Sequence, residues 1–142
     1  MAPRLELTAY NHVGIRIADR QRSLAFYELL GFREVWWDEN LGVSIIRNDA
    51  QLEINLIVNA NDDHGGRNVL MDVEGTRYPG YTHASFRVAS IEHAVEALRA
   101  AEVPITEGPV ELGGIEIAVF VRDPDRNVIE LAQILERPAS QE

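Results

Sequence analysis

The chain has no cysteine. A disulfide framework, a thiolate metal site and a cysteine nucleophile are therefore excluded. No apolar run approaches the roughly 20 residues that span a bilayer. The opening MAPRLELTAY lacks the apolar segment of a secretory signal, so a cytoplasmic address is expected. Positive charge is scarce as well: 13 Lys and Arg stand against 23 Asp and Glu, a formal net charge of −10. Nucleic acid and anionic membranes are held by basic patches, so neither is an expected partner. What is present is an ordinary globular composition, 46% hydrophobic and 25% charged, over 142 residues. That length is one domain's worth and can bury a core.

One stretch is written twice. YNHVGIRI, Tyr10 to Ile17, returns as YTHASFRV, Tyr81 to Val88. Tyr10 matches Tyr81, His12 matches His83 and Arg16 matches Arg87, each 71 positions apart, half of the 142-residue chain. A period this long is outside the solenoid range and points to two copies of one supersecondary unit. On a strand, residues two apart share a face, so His12, Gly14 and Arg16 point one way, as do His83, Ser85 and Arg87.

The rest of the chain reads as two βαβββ units. After the first strand, Asp19 is placed to cap a helix reaching about Leu30, with Phe26, Leu29 and Leu30 as its buried stripe and Gly31 as its stop. Phe32 to Trp37, Gly42 to Arg47 and Gln51 to Val58 read as strands, the last two joined around Asn48-Asp49. Residues 59–80 are polar and turn-like, a linker that could hold a short strand near Met71 and Val73. In the second copy Ser90 caps a helix whose Ile91, Ala94, Val95 and Leu98 fall on one face, and Pro104 ends it. Ile105 to Val110, Ile115 to Arg122 and Asn127 to Ile134 are its later strands, with turns at Gly113-Gly114 and Asp123-Pro124-Asp125. The domain is expected over 10–134, with modules at about 10–58 and 81–134.

The closing strands match as well: Leu52-Glu53-Ile54 corresponds to Ile129-Glu130-Leu131. Each sets a carboxylate between branched apolar residues, where an unpaired charge is costly. Alternation turns Glu53 and Glu130 away from those apolar neighbours. Each copy thus offers one histidine and one glutamate. Two imidazoles with one or two carboxylates suit Zn²⁺, Ni²⁺, Fe²⁺, Co²⁺ or Mn²⁺. His12, His83 and Glu130 alone make a 2-His-1-carboxylate face, with Glu53 as a fourth ligand. A single strand histidine is more often structural, and a single glutamate is often an edge charge; the paired placement favours metal. His64 and His93 have no repeat partner and read as solvated. Arg16 and Arg87 could bind an anionic substrate group or neutralise a glutamate. Trp36, Trp37, Tyr78 and Tyr81 read as core or rim.

The set YNHVGIRI, RSLAFYELLGF, LEINLI, YTHASFRV and GPVELGGIEIAVFVRDPDRNVIEL resembles the vicinal oxygen chelate superfamily over about residues 10–134. That superfamily holds glyoxalase I, extradiol dioxygenases and the fosfomycin- and bleomycin-resistance proteins. The resemblance implies an α+β fold of tandem βαβββ modules forming a curved, cleft-bearing mixed sheet. Within the superfamily the chain is most similar to bacterial glyoxalase I, a metal-dependent lyase that shifts a proton in a hemithioacetal of methylglyoxal and glutathione through an enediolate. The resemblance implies metal ligands at His12, Glu53, His83 and Glu130, with Glu130 as base. It also implies a substrate contact from Arg16, a small α-oxo substrate with a thiol such as glutathione, and a homodimer; Asn55 and Arg87 are expected as further substrate contacts. Two alternatives of the same fold are an Fe(II) extradiol-type dioxygenase and a non-catalytic small-molecule-binding protein. The asparagine that the family sets four positions after its first glutamate falls here on Ile57, with Asn55 and Asn59 beside it. GPVELGG carries no lysine where the family holds glutathione with a basic residue.

Overall fold

The computed structural model describes residues 4–61, 70, 75, 77 and 79–136. Its elements run β1 (Val13–Ile17), α1 (Arg20–Leu29), β2 (Arg33–Asp38), β3 (Val43–Arg47), β4 (Glu53–Val58), β5 (Ala84–Arg87), α2 (Ile91–Ala100), β6 (Glu107–Leu112), β7 (Glu116–Arg122) and β8 (Val128–Ile134). The order βαβββ therefore occurs twice, as the repeat predicts. The strands divide into two four-stranded mixed sheets, β1-β4-β3-β2 and β5-β8-β7-β6. In each, the first strand runs parallel to the last and the remaining pairs are antiparallel. His64, the Met71–Val73 strand and Tyr78 lie outside the described residues. The first strand of each copy is shorter than the repeat suggests, so His12 and His83 stand just before β1 and β5.

Both helices start where a short polar side chain can take an orphan amide. Asp19 accepts from the Arg22 amide at 2.9 Å, and Ser90 accepts from the His93 amide at 3.1 Å. Helix α1 ends at Gly31, whose φ of +91° suits a residue without a side chain. Helix α2 buries the expected stripe, Ile91, Ala94, Val95 and Leu98. Helix α1 does not: it buries Ser23, Phe26 and Tyr27, while Leu29 is 56% exposed. The rotation has a polar cause. Small Ser23 and the Tyr27 hydroxyl face a turn of the second half, described next.

That turn, between β7 and β8, joins the halves. Tyr27 Oη donates to Asp123 Oδ2 at 2.8 Å. Asp125 Oδ1 accepts from the Ala18 amide at 3.1 Å and from Arg22 Nη2 at 2.8 Å. Asn127 Nδ2 donates to the Arg16 carbonyl at 3.0 Å. Burial holds the Asp123 carboxyl above its ordinary pKa, against the hydrogen bonds it receives from Asn127, Tyr27 and Asp125, and pushes the Tyr27 phenol up too.

Beside this seam the halves share one apolar core. Ile15, Ile17, Ile54 and Leu56 enter it from the first sheet, and Val119, Val121, Ile129 and Leu131 from the second. Edge-to-face rings run across it from Tyr27 to Phe32 (6.3 Å) to Phe86 (5.7 Å). Because strand side chains alternate, the residues between these core positions lie on the outer face of each sheet. Part of the second sheet's outer face carries its own small cluster, Ala118, Phe120, Val128 and Ala132, against which Leu70 packs.

Candidate functional site

The paired histidines, arginines and glutamates singled out above fall on the outer faces. In the first half, His12 precedes β1, and Gly14 and Arg16 continue its face while Ile15 and Ile17 go inward. Glu53 and Asn55 hold the same face of β4, alternating with buried Ile54 and Leu56. In the second half, His83, Ser85 and Arg87 share a face, and Glu130 lies beside them on β8. The structure thus makes two His–Glu pairs. His12 Nδ1 lies 3.8 Å from Glu53 Oε2, and His83 Nε2 lies 3.6 Å from Glu130 Oε2. The pairs stand on the sides of their sheets that face away from the shared core. Among the described residues no three His, Asp or Glu side chains are grouped to hold a metal ion.

The pairs differ in environment. Glu53 is engaged: Arg47 Nε donates to its Oε1 at 2.8 Å. Glu130 is 5% exposed, and its ionic neighbour is the His83 ring. Thr82 Oγ1 meets His83 Nδ1 at 2.8 Å, and Phe120 meets the ring at 5.7 Å between centroids. Arg16 is exposed and donates through Nε to Asn59 Oδ1 at 2.8 Å. Tyr81 is fully exposed and Trp36 is 45% exposed, so neither is core in the single chain. His93 is exposed on α2, apart from both pairs. An apolar pocket lined by Leu30, Phe32, Phe86 and Leu98 lies on the core side and holds neither histidine.

Strand register corrects one match made from the sequence. Val13 pairs with Ile54, and its counterpart Ala84 pairs with Ile129. Arg47 pairs with Glu53, while Arg122 pairs with Val128; Ile45 pairs with Asn55, while Phe120 pairs with Glu130. The structural counterpart of Glu130 is therefore Asn55, and that of Glu53 is Val128. The Leu-Glu-Ile to Ile-Glu-Leu match was two residues out of step. Asn55 Oδ1 is buried and has no hydrogen-bond partner.

Comparison with known proteins places this geometry. Residues 9–131 match the model of the Glyoxalase/Bleomycin resistance protein/Dioxygenase superfamily, and the chain belongs to that family. Virulence protein STM3117 of Salmonella typhimurium is 30% identical over 128 residues, covering 87% of this chain and 82% of that protein. Its crystal structure superposes with a TM-score of 0.65 at 25% identity, covering 91% and 98% of the two chains. A glyoxalase/dioxygenase from Nostoc punctiforme gives 0.67 at 22% identity, covering 88% and 90%. The fosfomycin resistance protein FosX of Listeria monocytogenes gives 0.65 at 16%, covering 89% and 91%. The last two likenesses establish the fold. No helix among the described residues is long and apolar enough to cross a membrane.

Proposed function

We propose that this protein is a metal-dependent, glyoxalase-type lyase or isomerase that moves a proton between adjacent carbons of a small α-oxo substrate. The carrying observation is Glu130, a nearly buried carboxylate with no hydrogen bond among the described residues, facing His83 Nε2 at 3.6 Å. A carboxylate set in a nearly buried strand beside an imidazole is favoured when a cation meets it. His12, His83 and Glu130 would hold a divalent ion, with a further oxygen from β4; two imidazoles and a carboxylate suit Zn, Ni, Fe, Co or Mn. When bound, the ion would polarise the substrate's oxygens and acidify the neighbouring C–H. Glu130 then accepts the carbon's proton and returns it to the next carbon. Arg16 and Arg87, exposed on the same faces, bind an anionic end of the substrate or of a thiol such as glutathione.

The outward placement of the pairs supports a site built from two copies of the chain, the His12 half of one against the His83 half of another, in a symmetric homodimer with two sites. Subunit mixing tests this. His12→Ala and Glu130→Ala homodimers should each be inactive. In the mixed dimer one site collects both lesions and the other neither, so activity partly returns. No return after proven exchange of subunits means that sites lie within single chains. Elemental analysis of protein purified without added metal, with a hemithioacetal assay, tests the chemistry. A protein that takes up no stoichiometric Zn²⁺, Ni²⁺ or Fe²⁺ is not this enzyme.

One observation favours a second reading. Arg47 engages Glu53, which leaves His12, His83 and Glu130 as a three-ligand face with open positions, the arrangement of Fe(II) oxygenases. A catechol ring-cleavage assay separates an extradiol-type dioxygenase from the isomerase.

A further inference from the structure

The metal site proposed above needs an oxygen from β4, and β4 offers two, from Glu53 and Asn55. Resting on that reading and deepening it, we infer that the ligand from β4 is the Asn55 amide oxygen and not Glu53.

Three independent observations carry this. The first is register: Asn55 stands to β1 and β3 as Glu130 stands to β5 and β7. Their neighbours on the parallel strands are Gly14 and Ser85, both small, and a side chain added at Gly14 would meet nothing within 4 Å. Space for an ion or a substrate atom therefore opens beside Asn55.

The second is the fate of Glu53. Its counterpart on β8 is Val128, which cannot bind metal. Arg47 and Arg122 are counterparts, and each is tied to a carboxylate of its own sheet, Arg47 to Glu53 and Arg122 to Glu107. Glu53 thus gives one oxygen to an arginine, and its other lies 3.8 Å from His12 Nδ1, beyond hydrogen-bond reach; the partner of that nitrogen is Asn11 Oδ1 at 2.5 Å. His83 is likewise held at Nδ1, by Thr82, and its Nε2 faces Glu130. In both halves the protein holds Nδ1 and leaves Nε2 for the ion. Glu53 lies on the Nδ1 side of its histidine, and Glu130 on the Nε2 side. In each half the residue just before the histidine, Asn11 or Thr82, bonds the outer nitrogen and fixes the ring and its tautomer.

The third is the orphan. Asn55 Oδ1 is buried without a partner, and a buried acceptor left unmade is unfavourable. A divalent cation or a donor on the substrate completes it.

Chemically, the change replaces a second carboxylate by a neutral amide. A divalent ion on two imidazoles, one carboxylate and one amide keeps a net charge of about +1 instead of zero, and so binds anionic oxygen chelates better.

The test reads the metal site without activity. Purified full-length protein is loaded with Co²⁺ for its absorption spectrum and titrated with Zn²⁺ against a chelator, with circular dichroism to verify folding. Asn55→Ala should weaken Zn²⁺ by about 10–100-fold, the range that even outer ligands' partners command, and should shift the Co²⁺ bands. Asn55→Asp should shift the bands too, but tighten Zn²⁺. Glu53→Gln leaves the Asn11 contact of His12 untouched and should leave the bands in place. The inference is overturned if Glu53→Gln moves the bands while both Asn55 variants leave spectrum and affinity unchanged. If His83→Ala and Glu130→Ala bind metal like the wild type, the underlying metal reading fails instead, and the inference with it.

Discussion

Tyr27→Phe is the sharpest probe of the seam. Tyr27 is fully buried, and the change removes one atom without opening a cavity for a whole side chain. It takes one donor from Asp123. Three remain: the Asp125 and Asn127 amides at Oδ1, 2.9 and 2.8 Å, and Asn127 Nδ2 at Oδ2, 2.9 Å. All four original neighbours are donors, a set that fits the ionised carboxylate, which can only accept. A hydrogen bond to a charged group contributes about 1.5–3 kcal/mol, and a neutral one about 0.5–1.5. The variant should therefore lose about 1.5–3 kcal/mol at pH 7, measured by urea unfolding. The pH dependence follows from linkage. Burial raises the folded pKa of Asp123 above its ordinary 3.8, so this group favours folding below that value, and the benefit fades as pH rises through the folded pKa. The Tyr27 bond opposes the rise. Without it the folded pKa climbs further, and stability falls more steeply with pH than in the wild type. The loss should accordingly shrink as pH drops from 7 toward 4. A cost below about 0.5 kcal/mol at pH 7, or one constant with pH, refutes the charge-assisted role.

Glu130→Gln keeps size and one oxygen but removes basicity; it should retain metal and lose turnover by a factor of about 10²–10⁴ on the identified substrate, and near-normal turnover dismisses Glu130 as base. Gly108→Ala should destabilise by about 1–3 kcal/mol or more, read by thermal melting. Its φ is +89° and an added Cβ would lie 2.5 Å from the Ala118 carbonyl oxygen; an unchanged melting temperature contradicts that crowding.

The repeat made the fold legible. Histidine, arginine and apolar residues recur at one spacing through the first strand of each copy, and the capped helices follow from Asp19 and Ser90. Two things were hidden. Helix α1 turns Tyr27 inward because Asp123 waits across the seam, a partner 96 positions away that no local pattern announces. The register of β4 was hidden because the halves differ in length: Asn55 follows His12 by 43 positions, whereas Glu130 follows His83 by 47. Across that gap two glutamates resemble counterparts that the register sets two residues apart. A usable signal was present, since Arg47 to Glu53 and Arg122 to Val128 enclose turns of equal length. Aligning those turns puts Asn55 opposite Glu130. It also sets Asn59 four positions on, where the family's asparagine stands, and Arg16 donates to Asn59.

The unlike chemistry of Asn55 and Glu130 at like positions makes a site assembled from both halves handed. Two identical halves would treat both faces of a planar carbon alike. In the site proposed above an acid would stand on one side and an amide on the other, and only the acid would exchange a proton. Hydrogen would leave from, and return to, a single face of the substrate, so that the product forms as one mirror image.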